Sequence, residues 1–400
     1  MPLPFVPSER STIGVEWELQ LVDQDSNDLR QAADAVIAAA TEKEGELSPH
    51  IHREMLLNTV EVTSGARQTV AQCIEDLTRT ISDLRPITDV LRIDLATAGT
   101  HPFARPAYQR VTDSQRYAEL VERTQYWGRQ MLLYGVHVHV GVERQDKLLP
   151  ILRALATRLG QLQSLSASSP FWAGVDTAYA SNRAMVFQQL PTAGIPRQFA
   201  TWAQLEHYTD DMVSTGVIQG FDEIRWDVRP SPKLGTVENR VFDAATNSLE
   251  VAAFAALTHC LVEHWSRMLD GGEDLPVLPD WFVAENKWRS ARYGMDAVLI
   301  LDGQGTQEHV RDTVESMLVE LAPVARDLHC TEELDGVRRI LDVGASYQRQ
   351  RFVAENSRDP LDAVTELIRA EMRADSPLAP SAFLESRTVR DPESGHGHPC

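Results

Sequence analysis

The chain has 400 residues, with 38 basic against 58 acidic side chains for a net charge of −20, and 43% of its residues are hydrophobic. So acidic a chain, without a local basic patch, excludes nucleic acid and anionic membrane as natural partners, and no run of eighteen apolar residues is present to span a bilayer. The start Met1-Pro-Leu-Pro-Phe lacks the basic and hydrophobic regions of a secretory signal, which predicts a soluble cytoplasmic protein. Cys73, Cys260, Cys330 and Cys400 are scattered without a CxxC, so buried thiols are expected (Cys400 in the tail apart) and not a disulfide or zinc framework.

The first predicted element is a strand from Thr12 to Leu21. Side chains alternate across a strand, so Ile13, Val15, Trp17, Leu19 and Leu21 face one way and Glu16, Glu18 and Gln20 the other. After a turn at residues 25–28, a short helix is read over 30–44. Residues 51–64 become strand-like towards their end, with Thr59, Glu61 and Thr63 on one face. A long helix is expected over 69–95, carried by Val70, Ile74, Leu77, Ile81, Leu84 and Leu91, with Pro86 as a kink point. A strand near 93–99 precedes the His101-Pro102 turn.

Further helices are predicted at 115–133, 146–166, 245–269, 308–329 and 360–373. The last has Asp359 as N-cap, Pro360 at N1 and Asp362 in its first turn. Strands are predicted at 135–142, 222–229, 236–242 and 295–301. The segment 168–220, rich in Ser, Pro, Gly and Thr, reads as mobile active-site loops. Residues 376–400 read as a disordered tail behind a single domain, 1–375. Polar strand faces among scattered helices point to an α+β fold: a curved, mostly antiparallel sheet whose polar face forms the site and whose apolar face carries helices. The strands of a parallel doubly wound sheet are nearly all apolar.

Chemistry gathers on the polar strand faces. Glu16 and Glu18 stand about 6–7 Å apart on one face. His137 and His139 share a face in Gly135-Val-His-Val-His-Val-Gly141. Arg225, Asp227, Arg229, Glu238 and Arg240 share the polar face of a predicted hairpin that turns through Ser231-Pro-Lys-Leu-Gly235. Each pattern has a plain counterpart: a solvated face, core histidines, or a salt-bridge ladder worth about 0.2–1 kcal/mol per pair. On one sheet, however, such faces can gather divalent cations and a polyphosphate, since guanidinium forks match phosphate and carboxylate. His137-x-His139 with Glu143 also matches the opening of the cupin metal motif. Against a cupin, Pro150 stands where a glycine is expected, and long helices do not suit a small β-barrel. No P-loop, complete Rossmann fingerprint, GxSxG or HExxH occurs.

In this order the blocks resemble the type 2 glutamate–cysteine ligase family, also called carboxylate–amine ligases, over residues 11–375. The resemblance rests on Gly14-Val-Glu-Trp-Glu18, Glu54 with Glu61 and Thr63-Ser-Gly65, Gly99-Thr-His-Pro102 and the His-x-His strand. It continues through Gln189-Leu-Pro-Thr-Ala-Gly-Ile-Pro196, Trp226 to Glu238, and Glu285-Asn-Lys-Trp-Arg-Ser-Ala-Arg-Tyr-Gly294. Glu-x-Glu, paired acids, His-x-His and Glu-x-Arg also follow the order of the wider glutamine-synthetase-like superfamily, which implies its catalytic fold.

The resemblance implies ATP-dependent amide formation. The γ-carboxylate of glutamate attacks the γ-phosphate of ATP, and an amine, cysteine in the type reaction, displaces phosphate from the acyl phosphate. It further implies two or three Mg²⁺ ions, with Mn²⁺ as a substitute, and a homodimer. Carried onto this sequence, Glu18, Glu54 and Glu61 hold one cation, and Glu16, His137 and Glu238 another. His139 and Arg240 meet the transferring phosphoryl group, Arg229 a phosphate or the substrate carboxylate, and Arg225 joins them on the nucleotide side. Glu54 differs in strand parity from Glu61, which requires a bend between them. Asn286 and Arg292 fit substrate loops and a structural role equally. A different amine acceptor, or nucleotide binding without turnover, stays open, because the acceptor pocket falls within 168–220.

Overall fold

Alternation in the first strand sets the architecture. In the computed structural model, which describes residues 3–390, β1 (Ile13–Asp23) buries Ile13, Val15, Trp17, Leu19 and Leu21 to 1% exposure or less, and Glu16 and Glu18 take the opposite face. There follow β2 (Ile51–Arg53), β3 (Thr59–Thr63), β4 (Ile93–Ala96) and β5 (Gly135–Gly141), then β6 (Phe171–Trp172) paired with β7 (Val175–Asp176), and β8 (Ala193–Gly194) paired with β9 (Arg225–Trp226). The last are β10 (Val228–Ser231), β11 (Thr236–Asp243) and the pair β12 (Val298–Ile300) and β13 (Gln307–His309). Seven strands make one open antiparallel sheet in the order β10-β11-β5-β1-β3-β2, and β4 also pairs with β1. Gln20 shows how β1 is shared: it lies opposite Thr59 of β3 and Ala96 of β4.

The helices are α1 (Ala33–Glu44), α2 (Val70–Val90), α3 (Gln115–Thr124), α4 (Gln145–Ala156), α5 (Leu159–Ser166), α6 (Asn182–Phe187) and α7 (Trp202–Ser214). After them come α8 (Ser248–Asp270), α9 (Asp280–Tyr293), α10 (Val310–Asp327), α11 (Thr331–Val343), α12 (Ser346–Glu355), α13 (Pro360–Ala374) and α14 (Pro380–Arg390). α2 starts at a Thr69–Gln72 capping box and lays Val70, Cys73, Leu77, Ile81 and Leu84 against β1, β3 and β4. α8, capped by Asn247, is apolar almost all round and lies buried between β5 and the outer helices α10 and α11. Each Val or Leu so buried contributes roughly 1.5–3 kcal/mol, and this lower layer holds the polar face rigid. Among the described residues no helix is long and apolar enough to cross a membrane.

The expected fold class holds; several elements differ. The helix read over 115–133 stops at Thr124, where Gln125 takes a φ of 47°, and resumes as a single 3₁₀ turn over 128–130. The helix read over 146–166 breaks into α4 and α5, and the strand read over 222–229 divides into β9 and β10. The segment 168–220, read as loops, holds α6 and α7, each begun by a capping hydroxyl, Ser181 and Thr201. α9, α11 and α12 have no counterpart among the predicted helices. Asp359 does not cap α13 with its side chain; it pairs with Arg387 at 2.6 Å. Arg387 belongs to α14, which occupies 380–390 of the segment read as a disordered tail and buries Phe383. Residues 391–400 of that tail, with Cys400, lie outside the described residues. Cys73, Cys260 and Cys330 are buried free thiols, as expected.

Candidate functional site

Sheet register arranges the polar side chains in rows. Glu16 of β1 stands opposite His137 of β5, and Glu18 opposite Glu61 of β3. His139 stands opposite Glu238 of β11, which stands opposite Arg229 of β10. Contacts follow from that registration. His137 Nδ1 lies 2.9 Å from Glu16 Oε2, and His139 Nε2 lies 3.3 Å from Glu16 Oε1 and 3.9 Å from Glu238 Oε1. The other nitrogen of His139 meets Thr236 Oγ1 at 3.0 Å. Glu238 accepts from Arg229 Nε at 2.6 Å and from Arg240. The Gly135 amide donates to Glu18 Oε2 at 2.6 Å.

Burial drives every carboxyl here towards its neutral form. At Glu18 burial, reinforced by the Glu54 charge, pushes the pKa up to about 8. Burial raises Glu54 as well, and burial with the charges of Glu54, Glu16 and Glu18 holds Glu61 well above the usual range. At Glu16 burial is overcome by hydrogen bonds to His137 and His139, and at Glu238 by Arg240, His139 and Arg229; both are held low. The imidazoles divide in the same way. Burial and Arg240 bring His137 down to about 4, whereas at His139 the Glu238 and Glu16 carboxylates outweigh burial and raise the pKa.

A cavity of about 290 Å³ opens over these rows. Glu16, Glu18, Glu54, Glu61 and His137 form its polar side; Met55, Leu120, Met131, Leu133, Phe187 and Leu190 form an apolar wall. Two sets of ligand atoms lie within 4.8 Å of one another, Glu16-His137-Glu238 and Glu18-Glu61-His137. His137 Nε2 is buried without a hydrogen-bond partner. Crowded buried carboxyls beside an unpartnered imidazole nitrogen fit a divalent cation that favours oxygen ligands and accepts one nitrogen, Mg²⁺ or Mn²⁺.

The structure brings together Glu16, Glu18, Glu61, His137 and Glu238. Glu54, just past the end of β2, is outside both atom sets, yet its carboxyl reaches that of Glu61 and it lines the cavity. Arg225, Arg229 and Arg240 also line the cavity. Arg225 is placed by its neighbour β8: its amide donates to Thr192 O at 3.1 Å, within the Gln189–Pro196 block. His139 and Glu238 are not among the lining residues; they back Glu16 from the next strands. Glu143 pairs with Lys147 at 2.6 Å and takes no part in the cluster, which removes the cupin reading together with the open sheet.

Asp227 leaves the polar face for a buried ion pair with Lys287 at 2.6 Å. Asn286 is structural, its amide bonded both ways to the backbone of Ile300 at 2.7 and 2.8 Å. Arg292 donates to Ala178 O and lies over the Tyr179 ring. Sequence reasoning passed over the apolar wall and one lining cation, Arg183 of α6. The available signal was Ser181, an N-cap residue inside a stretch that reads as loop.

Comparison with known proteins gives a consistent picture. The family model described as "Glutamate-cysteine ligase family 2" matches residues 12–367. "Putative glutamate--cysteine ligase 2-2" of Paenarthrobacter aurescens is 50% identical over 378 residues, covering 93% of this chain and 99% of that protein. "Putative glutamate--cysteine ligase 2" of Mycobacterium ulcerans is 52% identical over 370 residues, covering 92% and 93%. Among solved structures, glutamate–cysteine ligase from Francisella tularensis in complex with AMP aligns with a TM-score of 0.65 at 12% identity, over 99% of this chain and 97% of that one. A bifunctional glutathione synthetase from Pasteurella multocida aligns with a TM-score of 0.56 at 16% identity, over 96% and 53%.

Proposed function

This chain belongs to glutamate–cysteine ligase family 2, and from that premise we propose that it joins the γ-carboxyl of glutamate to an amine, with cysteine as the leading acceptor. ATP is converted to ADP and phosphate as the amide forms. The observation that carries this reading is the polar cage: buried carboxyls, an unpartnered imidazole nitrogen and several arginines converging on one cavity. In it Glu16, His137 and Glu238 would hold one divalent cation, and Glu18, Glu54 and Glu61 another. Bound Mg²⁺ supplies charge neutralisation along the phosphate oxygens. The AMP held by the Francisella tularensis ligase of the same fold supports an adenine nucleotide here.

The remaining groups align and protect the reactants. Arg229 and Arg240, now sharing Glu238, offer guanidinium donors to phosphate oxygens, and His139 holds Glu16 from behind rather than facing the cavity itself. An acyl phosphate is lost to water unless water is kept out. Leu120, Met131, Leu133, Phe187 and Leu190 contribute apolar surface to the lining, which disfavours water beside the reacting groups.

The test is phosphate release at fixed ATP, Mg²⁺ and glutamate across cysteine and a panel of amines. Release is expected only when all components are present, with γ-glutamylcysteine as the product in the cysteine assay. Release with another amine but not cysteine replaces the acceptor and keeps the ligase reading. Silence across the whole panel removes both.

A further inference from the structure

Arg183, the second residue of α6, differs from Arg229 and Arg240 of the same cavity. Arg229 and Arg240 already share the carboxylate of Glu238. Arg183 is only 5% exposed and lines the same cavity, yet among the described residues no carboxylate is within 4.0 Å of its guanidinium. Its two terminal nitrogens make only long contacts, 3.3 Å each, to one backbone carbonyl, that of Arg240. The three acids whose charge it feels are engaged elsewhere, Asp227 in its ion pair with Lys287. Asp243 accepts from the Ser168 amide and the hydroxyls of Ser169 and Ser181, and Glu18 from the Gly135 amide.

A buried cation without a counter-ion is strongly unfavourable, and this fold keeps one deliberately placed. Gly135 leaves the room for it: a Cβ there would stand 2.4 Å from Arg183 Nη2. The Phe187 ring supports the guanidinium at 5.6 Å. An anion entering the cavity is the partner that completes this arrangement.

Position separates the candidate anions. His139 and Glu238, with Arg229 and Arg240, occupy the flank of β5, β10 and β11. Arg183 lies at Gly135, about 13 Å along β5 from His139 and about 7 Å from His137 at the usual strand rise. A glutamate placed with its γ-carboxyl over Glu16 and His137 has its other carboxylate within reach of Arg183, whose nitrogens lie beside the Arg240 carbonyl at this end of the row.

We propose that Arg183 binds the free α-carboxylate of the amino-acid substrate, the carboxyl that is not activated. This assignment rests on the proposed ligase function and names the group that selects an α-amino dicarboxylic acid. A planar fork is suited to the task, since it donates two parallel hydrogen bonds to a carboxylate and far less to a neutral amide.

The experiment compares glutamate with its α-amide, which keeps the γ-carboxyl, in Mg²⁺-ATP assays of the wild type, Arg183→Met and Arg183→Lys. The wild type is expected to favour glutamate in kcat/KM by roughly 10²-fold, the scale set by an unmet charged hydrogen-bonding group. In Arg183→Met the KM for glutamate rises by about the same factor, the KM for ATP holds, and the preference over the α-amide collapses towards unity. Arg183→Lys, which keeps the charge without the fork, gives an intermediate preference and covers the case in which the Met variant fails to fold. The assignment is overturned if the variants lose activity on both acids with the preference intact, or if the KM for ATP rises instead. A wild type with no glutamate-dependent phosphate release removes the ligase reading and this assignment with it, an outcome distinct from a failed preference test.

Discussion

Two clusters of buried arginine and glutamate lie in this molecule, and their hydrogen bonding is opposite. Under the sheet, Arg349 of α12 has all its donors engaged: Nε with Glu371 at 2.7 Å, Nη1 with Glu250 at 2.8 Å and Gly344 O at 2.6 Å, Nη2 with Glu371 at 2.8 Å and Thr246 at 3.2 Å. Glu250 and Glu371 are in turn met by Asn247 and by the Leu378 amide. On the polar face, His137 Nε2 and Arg240 Nε are buried without hydrogen-bond partners, and burial keeps Glu18, Glu54 and Glu61 raised. The closed cluster ties α8, α12 and α13 together. The open one is incomplete as protein alone, and incompleteness of that kind marks a place for ligands.

Substitution in each cluster breaks or sharpens the contrast with the largest effects. Arg349→Met strands two buried carboxylates and is expected to cost roughly 3–5 kcal/mol of stability, read as a lower denaturant midpoint. Glu16→Gln should do the reverse: relief of repulsion with Glu54 and Glu61 offsets the weakened bonds to His137 and His139, so the melting temperature shifts little, while ligase turnover falls by about 10³-fold or more. A Glu16→Gln protein that unfolds but remains active per folded molecule would make the two clusters equivalent and remove the site.

His101 carries the contrast to single imidazoles and lies in the Gly99–Pro102 block. Burial pushes both His101 and His137 down to about 4. His101, however, is satisfied at each nitrogen, Nε2 with Asn27 O at 2.9 Å and Nδ1 accepting from the Ala104 amide at 3.1 Å. It is a structural member of a block that resembles a functional motif. Because its folded pKa is depressed, the unfolded chain takes the proton first as pH falls from 6.5. Its contribution is complete above pH 6.5 and is lost towards pH 4, by about 1.4 kcal/mol per pH unit and roughly 3 in all. Unfolding curves between pH 6.5 and 5 should show a shallower decline for His101→Asn than for the wild type. Identical slopes would mean that the imidazole is not held neutral by the fold.

The sheet and its rows were legible because period-two alternation survives wherever one face is apolar, as in Ile13-Gly-Val-Glu-Trp-Glu-Leu19. That pattern located Glu16, Glu18, His137 and Glu238 before any contact was known. Register supplied what alternation lacks: nothing local says that Glu16 faces His137 or that Glu18 faces Glu61. Asp227 was misplaced because β9 ends at Trp226, so its parity no longer follows the hairpin and it falls to Lys287. Arg183 and the apolar wall were hidden for a different reason. Arg183 and Phe187 come from a six-residue helix and Met131 and Leu133 follow a 3₁₀ turn, too short for any periodicity, while Leu120 lies on α3, whose pattern does not say what it faces; tertiary packing fixes them.

The smallest expected effect is also the most direct measure of the contrast. A ligand that binds only the native state stabilises it by mass action, so Mg²⁺ at ten times its dissociation constant should add about 1.4 kcal/mol to the wild type. The closed cluster predicts no share in this: an Arg349→Met protein starts from a lower melting temperature and gains the same increment. Glu16→Gln, by contrast, should gain little or nothing, since the residue removed supplies an anionic ligand atom of the Glu16-His137-Glu238 set. Thermal melts of the three proteins across a magnesium series separate the cases. An undiminished increment in Glu16→Gln would place the cation elsewhere and leave the frustration of the polar face without a ligand to relieve it.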